Sequence, residues 1–305
     1  MILDSFRNLF KFSKMRVKPP LLMRILSHNI RYATSSPFRG ERPWRERKQL
    51  VLNQHRFASR LNPETFLCLQ EVLHGQLEDL VAGLNQDGDR WDYIGVGRND
   101  GKTAGEYSLI FYRPDVWDLK HFKPFWLSET PDIPSKGWDA ASIRIVTVGI
   151  FKHRASHQIV MGMSTHLDDQ GSKSREEAAK LIIRVISYYL TESEYANKIS
   201  GVFLAGDFNS EEHQEAYTVL TGDDSPLVDA AKQIDSSLHY GNYNTYTGFG
   251  YEGYPATRID HILVGPRNAR NVPWCVRGYG VLPNKFDDGV FNSDHRAVVV
   301  DAHLC

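Results

Sequence analysis

Hydrophobic and polar positions fall into short apolar runs separated by longer stretches with a helical period. Runs at 24–30, 65–70, 108–112, 143–151, 159–165, 202–205, 259–264 and 297–302 read as buried strands. Two segments between them repeat at helical spacing. The first starts at Pro43, a residue suited to a first helical turn, and runs to Leu61 with Leu50, Gln54, Phe57, Ala58 and Leu61 on one face. The second covers 174–190, with Ala178, Leu181, Ile182, Val185, Ile186 and Tyr189 in a stripe and Ser172 or Ser174 placed to cap its start. No internal repeat, low-complexity tract or Pro/Gly linker divides the chain. The pattern predicts one domain, 23–305, of packed sheets flanked by helices.

Residues 1–22 differ from the rest. Arg7, Lys11, Lys14, Arg16 and Lys18 face a single acid, Asp4, and Ile2, Leu3, Phe6, Leu9 and Phe10 lie near helical spacing. This extension reads as a mitochondrial-type presequence, a membrane-surface contact or a plain tail. With no secretory apolar region and no Asn-x-Ser/Thr acceptor in the chain, a cytoplasmic location is expected, with the mitochondrion as the alternative.

Composition narrows the class. The 305 residues are 41% hydrophobic and 24% charged, ordinary values for a soluble globular protein. No stretch approaches the roughly 18 apolar residues a spanning helix needs. Three cysteines, Cys68, Cys275 and Cys305, do not form the pattern of a disulfide framework. With 36 Lys+Arg against 37 Asp+Glu the net charge is −1, so the chain lacks the basic excess of a dedicated nonspecific nucleic-acid binder.

Chemistry concentrates where the strands stop. Asn29 stands in Ser-His-Asn-Ile-Arg, Glu71 in Gln-Glu-Val, His166 with Asp168 in Ser-Thr-His-Leu-Asp, and Asp207 and Asn209 in Gly-Asp-Phe-Asn; Asp260 follows in Arg-Ile-Asp-His, and Asp294 with His295 in Ser-Asp-His-Arg. Oxygen donors dominate and no Cys–His cluster has zinc spacing, so the set suits a hard cation such as Mg²⁺, with Mn²⁺ as a substitute. A cation of that kind at a phosphate neutralises charge on the phosphoryl oxygens, and His166 and His295 supply proton transfer near neutral pH. Each fragment alone has an ordinary reading as a turn, a cap or a surface charge. Their occurrence together, in that order, is the signal.

The ordered set resembles the endonuclease/exonuclease/phosphatase superfamily, which includes pancreatic-type deoxyribonucleases, abasic-site endonucleases, inositol-polyphosphate 5-phosphatases, deadenylases and neutral sphingomyelinases. The likeness runs from Arg24 to His303. It extends to Gly-Val-Gly-Arg-Asn-Asp-Gly-Lys at 95–102, Gly-Glu-Tyr-Ser-Leu-Ile-Phe-Tyr at 105–112, Phe-Trp-Leu-Ser-Glu-Thr-Pro at 125–131 and Gly-Trp-Asp-Ala-Ala at 137–141, which are similar to a microbial and fungal branch. The resemblance implies a four-layer α/β sandwich of two mixed, mostly antiparallel sheets. It also implies roles: Glu71 as principal Mg²⁺ ligand with Asn29 beside it and Asp294 completing the metal side; Asp207 on the attacking water and Asn209 on a phosphate oxygen; His295 as proton partner or phosphate clamp oriented by Asp260; and His166 on the phosphate or leaving oxygen, supported by Glu106.

Arg144 reads as a guanidinium fork on phosphate oxygens or as a surface strand residue with a carboxylate partner, and Tyr107 as a phosphate hydrogen bond or a core aromatic. Trp126 and Trp138 are expected in packing. The expected reaction is Mg²⁺-dependent hydrolysis of a phosphomono- or phosphodiester, with a small or lipid-linked ester favoured. The alternatives are a nuclease on DNA or RNA and an inactive phosphoester-binding module. The local basic bias from Arg39 to Arg60 is the one feature that favours a nucleic acid. The sequence leaves the oligomeric state open.

Overall fold

The structure, a computed structural model, describes residues 21–88, 90–268 and 272–304. The basic stretch 1–20 lies outside the described residues. Among the described residues, thirteen strands form two sheets. The first contains β1 (Leu21–Asn29), β2 (Phe66–Val72), β3 (Asp92–Ile94), β4 (Tyr107–Tyr112), β10 (Tyr240–Gly241), β12 (Trp274–Val281) and β13 (Val298–Leu304), in the order β10-β12-β13-β1-β2-β4-β3. The second contains β5 (Trp117–Trp126), β6 (Ile145–His153), β7 (Ile159–His166), β8 (Ile199–Asp207), β9 (Val228–Asp229) and β11 (Asp260–Gly265), in the order β5-β6-β7-β8-β11-β9. Helices α1 (Trp44–Ser59) and α2 (His74–Leu84) cover the first sheet, and α3 (Ser172–Thr191) and α4 (Glu215–Thr221) the second.

The layering follows from side-chain alternation. Along β2, Phe66 and Cys68 enter the core between the sheets, while Leu67 and Leu69 pack under α1 and α2. With both faces covered, such strands read as continuous apolar runs. Buried Phe66 meets Trp117, Phe151 and Phe203 at centroid distances of 4.8, 4.9 and 5.1 Å, which ties the two sheets at the centre of the sandwich. Cys68 is a buried free thiol, whereas Cys275 is disulfide-bonded, which the odd cysteine count does not signal. No helix among the described residues is long and apolar enough to cross a membrane.

Three expectations need correction. First, the expected face of α1 is rotated. Arg47, Val51, Leu52, His55 and Ala58 are buried, whereas Phe57 and Leu61 are 86% and 94% exposed. Polar Arg47 and His55 point inward because the interior supplies them with partners, a condition that apolar spacing cannot register. Second, α3 is not capped by its serines. Asp139 reaches across from the preceding loop and accepts from the Ser174 N–H (2.6 Å) and the Lys173 N–H (3.3 Å), at the end where a carboxylate also complements the helix dipole. Third, β5, β12 and α2, with the short β3, β9, β10 and α4, add to the expected elements. The two long added strands carry bulges, between Leu119 and His121 in β5 and between Val276 and Gly278 in β12, which break the periodicity.

The rotated face of α1 has a direct consequence for stability. Leu52→Ala should destabilise the fold by roughly 2–5 kcal/mol, whereas Phe57→Ser should change it by about 0.5 kcal/mol or less. Urea titration of both variants checks this, and comparable losses would restore the expected face.

Candidate active site

The ladder of the second sheet sets the centre of the site. Strand β8 pairs in parallel with β7 and antiparallel with β11, and the register places His166 and Asp260 level with Asp207 on either side. Gly206 makes this approach feasible, since a Cβ there would lie 2.1 Å from the Thr165 carbonyl oxygen. Asp207 Oδ2 stands 3.5 Å from His166 Nε2 and 3.6 Å from His295 Nε2. On the far side of His295, Nδ1 donates to Asp260 Oδ2 at 2.8 Å, and Asp260 is itself fixed by Thr245 Oγ1 on its backbone N–H. Asn209, held with φ +45°, gives its amide hydrogens to the Leu167 carbonyl (3.0 Å) and His166 Nε2 (3.2 Å). That donation assigns His166 the tautomer with its proton on Nδ1.

The first sheet contributes the opposing wall. Glu71 follows the Asn29–Gln70 pair at the ends of parallel β1 and β2. It sits in the left-handed region, φ +59°, inside the irregularity between Leu69 and Val72, and this turns its carboxylate out of the strand. Arg31 is in the same region at φ +58°. Non-glycine residues held there cost on the order of 1 kcal/mol or more, so the surrounding contacts must impose the geometry. They are visible: Tyr32 N–H donates to Glu71 Oε2 (3.1 Å), and buried Arg47 donates to the carbonyls of Ile30, Arg31, Arg42 and Asn292. Arg47 thereby binds the segment after β1 to the segment that carries Asp294 and His295. Ser293 Oγ reinforces that join through the Asn29 carbonyl at 2.6 Å.

Asn29 bridges the two walls. Its amide nitrogen donates to Glu71 Oε1 and to Asp207 Oδ2, both at 3.0 Å, while its oxygen accepts from the Arg31 N–H. Glu106 lies beside His166 as expected, but out of hydrogen-bond reach. Arg98 grips it with two hydrogen bonds of 2.9 and 2.8 Å, and its Oε2 is 3.8 Å from His166 Nδ1, which has no hydrogen-bond partner. Tyr107 is a core aromatic whose hydroxyl donates to the Lys102 carbonyl and meets His74 Nδ1, each at 3.0 Å, so its donor is already taken. Arg144 is 5% exposed, not a surface residue. Asp168 and Asp169 hold its Nε and Nη2, and Nη1 is left without a partner. Asp168 also accepts from the N–H groups of Ala141, Ser142 and Gly171, which hold it at about 2 against the effect of burial. Trp126 is buried, and Trp138 packs on the core under α3.

Sequence reasoning missed Arg31, Arg47, Arg98 and Glu41. Arg31 pairs with Glu41 (3.3 Å) and lies 3.8 Å from Glu71. The signal available for Arg98 was its place in Gly-Val-Gly-Arg-Asn-Asp-Gly-Lys.

Buried negative charge dominates the electrostatics. Burial and the neighbouring Asp260 push Asp207 up to about 7, and burial with Glu71 pushes Glu106 up to about 7. Asp294 is raised too, by burial and Glu71. The two histidines diverge. Although burial opposes it, Asp260 and Asp207 hold His295 protonated well above its ordinary value, whereas burial and the Arg144 and Arg98 cations hold His166 well below. Crowded carboxylates of this kind fit a divalent cation, whose charge removes the repulsion that raises them. Asp207, Asp260 and His295 also form a buried group whose ligand atoms lie within 4.8 Å of one another. Because His295 Nδ1 already donates to Asp260, the oxygen-rich side at Glu71 and Asp294 suits a hard cation better.

The profile of the endonuclease/exonuclease/phosphatase family matches residues 26–295. Among solved structures, an endonuclease/exonuclease/phosphatase from Bacteroides vulgatus is 33% identical, with a TM-score of 0.78 over 93% of this chain and 99% of that one. A mannosyl-6-phosphatase from Bacteroides thetaiotaomicron is 32% identical, with a TM-score of 0.77 over 92% of this chain and 99% of that one. An uncharacterised protein of Acanthamoeba polyphaga mimivirus is 24% identical over 282 residues, 91% of this chain and 99% of its own length.

The carboxylate crowding makes stability depend on pH. Asp207, Glu106 and Asp294 keep protons in the folded state that they lose on unfolding, and His295 keeps its proton above 6.5. The folded state therefore binds more protons than the unfolded one, through Asp207 and Glu106 up to about pH 7 and through His295 above 6.5, and stability falls as pH rises through that range. Below about 6.5 the buried neutral histidines, His166 among them, work the other way. In EDTA the melting temperature should fall from pH 6.5 to 8.5, and Asp207→Asn should flatten the fall. A flat wild-type profile would refute the crowding.

Proposed function

The chain belongs to the endonuclease/exonuclease/phosphatase family, and we propose that it is a Mg²⁺-dependent phosphomonoesterase acting on a small sugar phosphate. The carrying observation is the position of Asp207 Oδ2 between His166 Nε2, His295 Nε2 and the Asn29 amide, at 3.5, 3.6 and 3.0 Å. In this reading a water at Asp207 gives its proton to that carboxylate and attacks the phosphorus, the P–O bond to the sugar breaks, and the departing oxygen takes a proton from solvent to leave as the alcohol; a pKa near 7 suits a general base. His295, kept cationic by Asp260, donates to a phosphoryl oxygen as charge develops there. The free Arg144 Nη1 holds a remaining oxygen, whereas both amide hydrogens of Asn209 are engaged by the Leu167 carbonyl and His166 Nε2, so Asn209 orients His166 rather than the phosphate. Mg²⁺ at Glu71 and Asp294 would neutralise phosphoryl charge; Asn29 can join through its oxygen, which the Arg31 N–H occupies on one side only.

Two observations favour a small ester over a polymer. The relative named a mannosyl-6-phosphatase covers nearly the whole chain. The basic bias of 39–60 is also partly offset within the fold: Arg47 is buried on carbonyls, Lys48 pairs with Asp79 at 2.8 Å, and the exposed Arg42 and Arg45 share one acid, Glu46, at 4.0 and 3.9 Å. A nucleic-acid backbone calls for a longer run of unpaired surface cations. An inactive binding module is disfavoured by the complete set of acids and histidines.

Phosphate release from mannose 6-phosphate, glucose 6-phosphate and 4-nitrophenyl phosphate, compared with bis(4-nitrophenyl) phosphate and a short duplex, tests the proposal. Monoesters should be cleaved only with Mg²⁺ or Mn²⁺, and faster than the diester; faster cleavage of diester or duplex would overturn it. Glu71→Gln should lower kcat/KM by about 100-fold or more at wild-type metal levels, as loss of a central charged group does. In a double-mutant cycle, His295→Ala and Asp260→Asn should each remove most of what the pair removes. Additive losses would show that Asp260 does not act through His295.

A further inference from the structure

We infer that Arg98 recognises the terminal oxygens of the substrate phosphate and gives the site its preference for monoesters over diesters, an inference that rests on the function proposed above. The first support is the rigidity of the loop that presents it. Between β3 and β4, Gly97 N–H donates to the Lys102 carbonyl (2.9 Å), Asn99 N–H to Ala104 (3.0 Å), Gly101 N–H to Gly97 (3.0 Å) and Arg98 N–H to Glu106 (3.1 Å). Asp100 Oδ1 closes the loop by accepting from the N–H groups of Lys102 and Ala104. Gly97 permits the fold-back, since a Cβ there would lie 2.4 Å from the Ala104 oxygen. From the outside, the Trp126 indole donates to the Arg98 carbonyl at 2.7 Å. The Arg98 backbone is therefore fixed on both sides, and its guanidinium is held in place without help from a ligand.

The second support is where that guanidinium lies. Two of its five N–H groups go to Glu106, whose Oε2 is 2.9 Å from Arg98 Nη1 and 3.8 Å from His166 Nδ1. Arg98 is thus one carboxylate away from the histidine beside Asp207, and its side chain keeps 15% exposure. Arg144 lies within its field, because the two cations oppose each other's charge and together depress His166. One N–H donor of Arg144, in a residue 5% exposed, has no partner. Two guanidiniums and a buried unpaired donor beside the reaction centre make a place for an anion with several free oxygens. A phosphomonoester near neutral pH carries about two negative charges and three unesterified oxygens, a diester one charge and two such oxygens. Arg98, on the His166 side, is the cation whose contact a second ester group would displace.

The test compares substrates within one variant. Arg98→Gln removes the charge and keeps a hydrogen-bonding group for Glu106. It should lower the ratio of kcat/KM for 4-nitrophenyl phosphate to that for bis(4-nitrophenyl) phosphate by roughly 10- to 100-fold, the scale of a hydrogen bond to a charged group. If Arg98 served only to hold Glu106 near His166, both substrates would lose activity together and the ratio would stay constant, which overturns the inference. Arg98→Lys, which keeps a cation beside Glu106, covers the case in which the Gln variant does not fold: its ratio should also fall, by a smaller factor, and an unchanged ratio in the folded Lys variant overturns the inference. Inorganic phosphate supplies a second readout, since its inhibition constant should rise about 10-fold or more in the folded variant. A wild-type enzyme that prefers the diester refutes the proposed function itself, whereas a wild-type monoester preference that survives both substitutions refutes only the role of Arg98.

Discussion

Holding several carboxylates together where water cannot solvate them is the constraint on which the rest of this structure depends. Asp207, Asp260 and Asp294 are almost fully buried, and Glu71 and Glu106 are nearly so. Burial alone disfavours each ionised group, and like charges nearby disfavour it further. The surrounding features offset that cost. Arg31 sits against Glu71, Arg98 against Glu106, and His295 is held cationic between Asp260 and Asp207. Asn29 places amide hydrogens between Glu71 and Asp207, where two acceptors would otherwise face each other. An apolar cluster of the same volume is often at least as stable, so packing does not account for the acids, which under the proposed function would act on a cation and a phosphate.

That requirement also accounts for the backbone. Carboxylates brought to one point from five strand ends need register, and the β7–β8–β11 ladder supplies it for His166, Asp207 and Asp260 without strain. At the first sheet, Glu71 and Arg31 take left-handed conformations next to the end of the β1–β2 ladder, and in the second sheet Asn209 does so just past β8. Strain concentrated at these three positions, and held there by Arg47 and by backbone hydrogen bonds, is what a preorganised site shows.

The same distinction decides what could be read from the chain alone. The eight apolar runs became strands because burial on both faces is written into local composition, and the polar residues closing them reached one site because strand ends converge in such a sandwich. Partners contributed from far away in sequence were not readable. Nothing near 174 announces that Asp139 caps α3, and nothing near 47 announces that its guanidinium is satisfied by carbonyls as distant as Asn292. Spacing placed Glu106 on the correct side of the site but could not show that Arg98 holds it, or that the Tyr107 hydroxyl is taken by the same loop. β5 and β12 escaped notice because bulges break the period-two pattern that identifies a strand.

The placement of arginine carries the substrate argument one step further. A protein that follows a nucleic-acid strand needs cations on its surface, where they can exchange counterions for phosphates. Here Arg47, Arg144 and Arg258 are buried and Arg31 nearly so, each beside carboxylates or carbonyls of the same chain. Near the site the positive charge faces inward, onto a region a few ångströms across, with Arg144 holding an unused donor and Arg98 partly open beside His166. A field of that extent can neutralise one phosphate group. With an overall charge of −1 there is little beyond it to attract the next phosphate along a polymer. Under the proposed function, the inward turn of the arginines and the crowding of the acids serve one end: the site would balance its own charge over a single phosphoryl group, and the surrounding loops would select the alcohol attached to it.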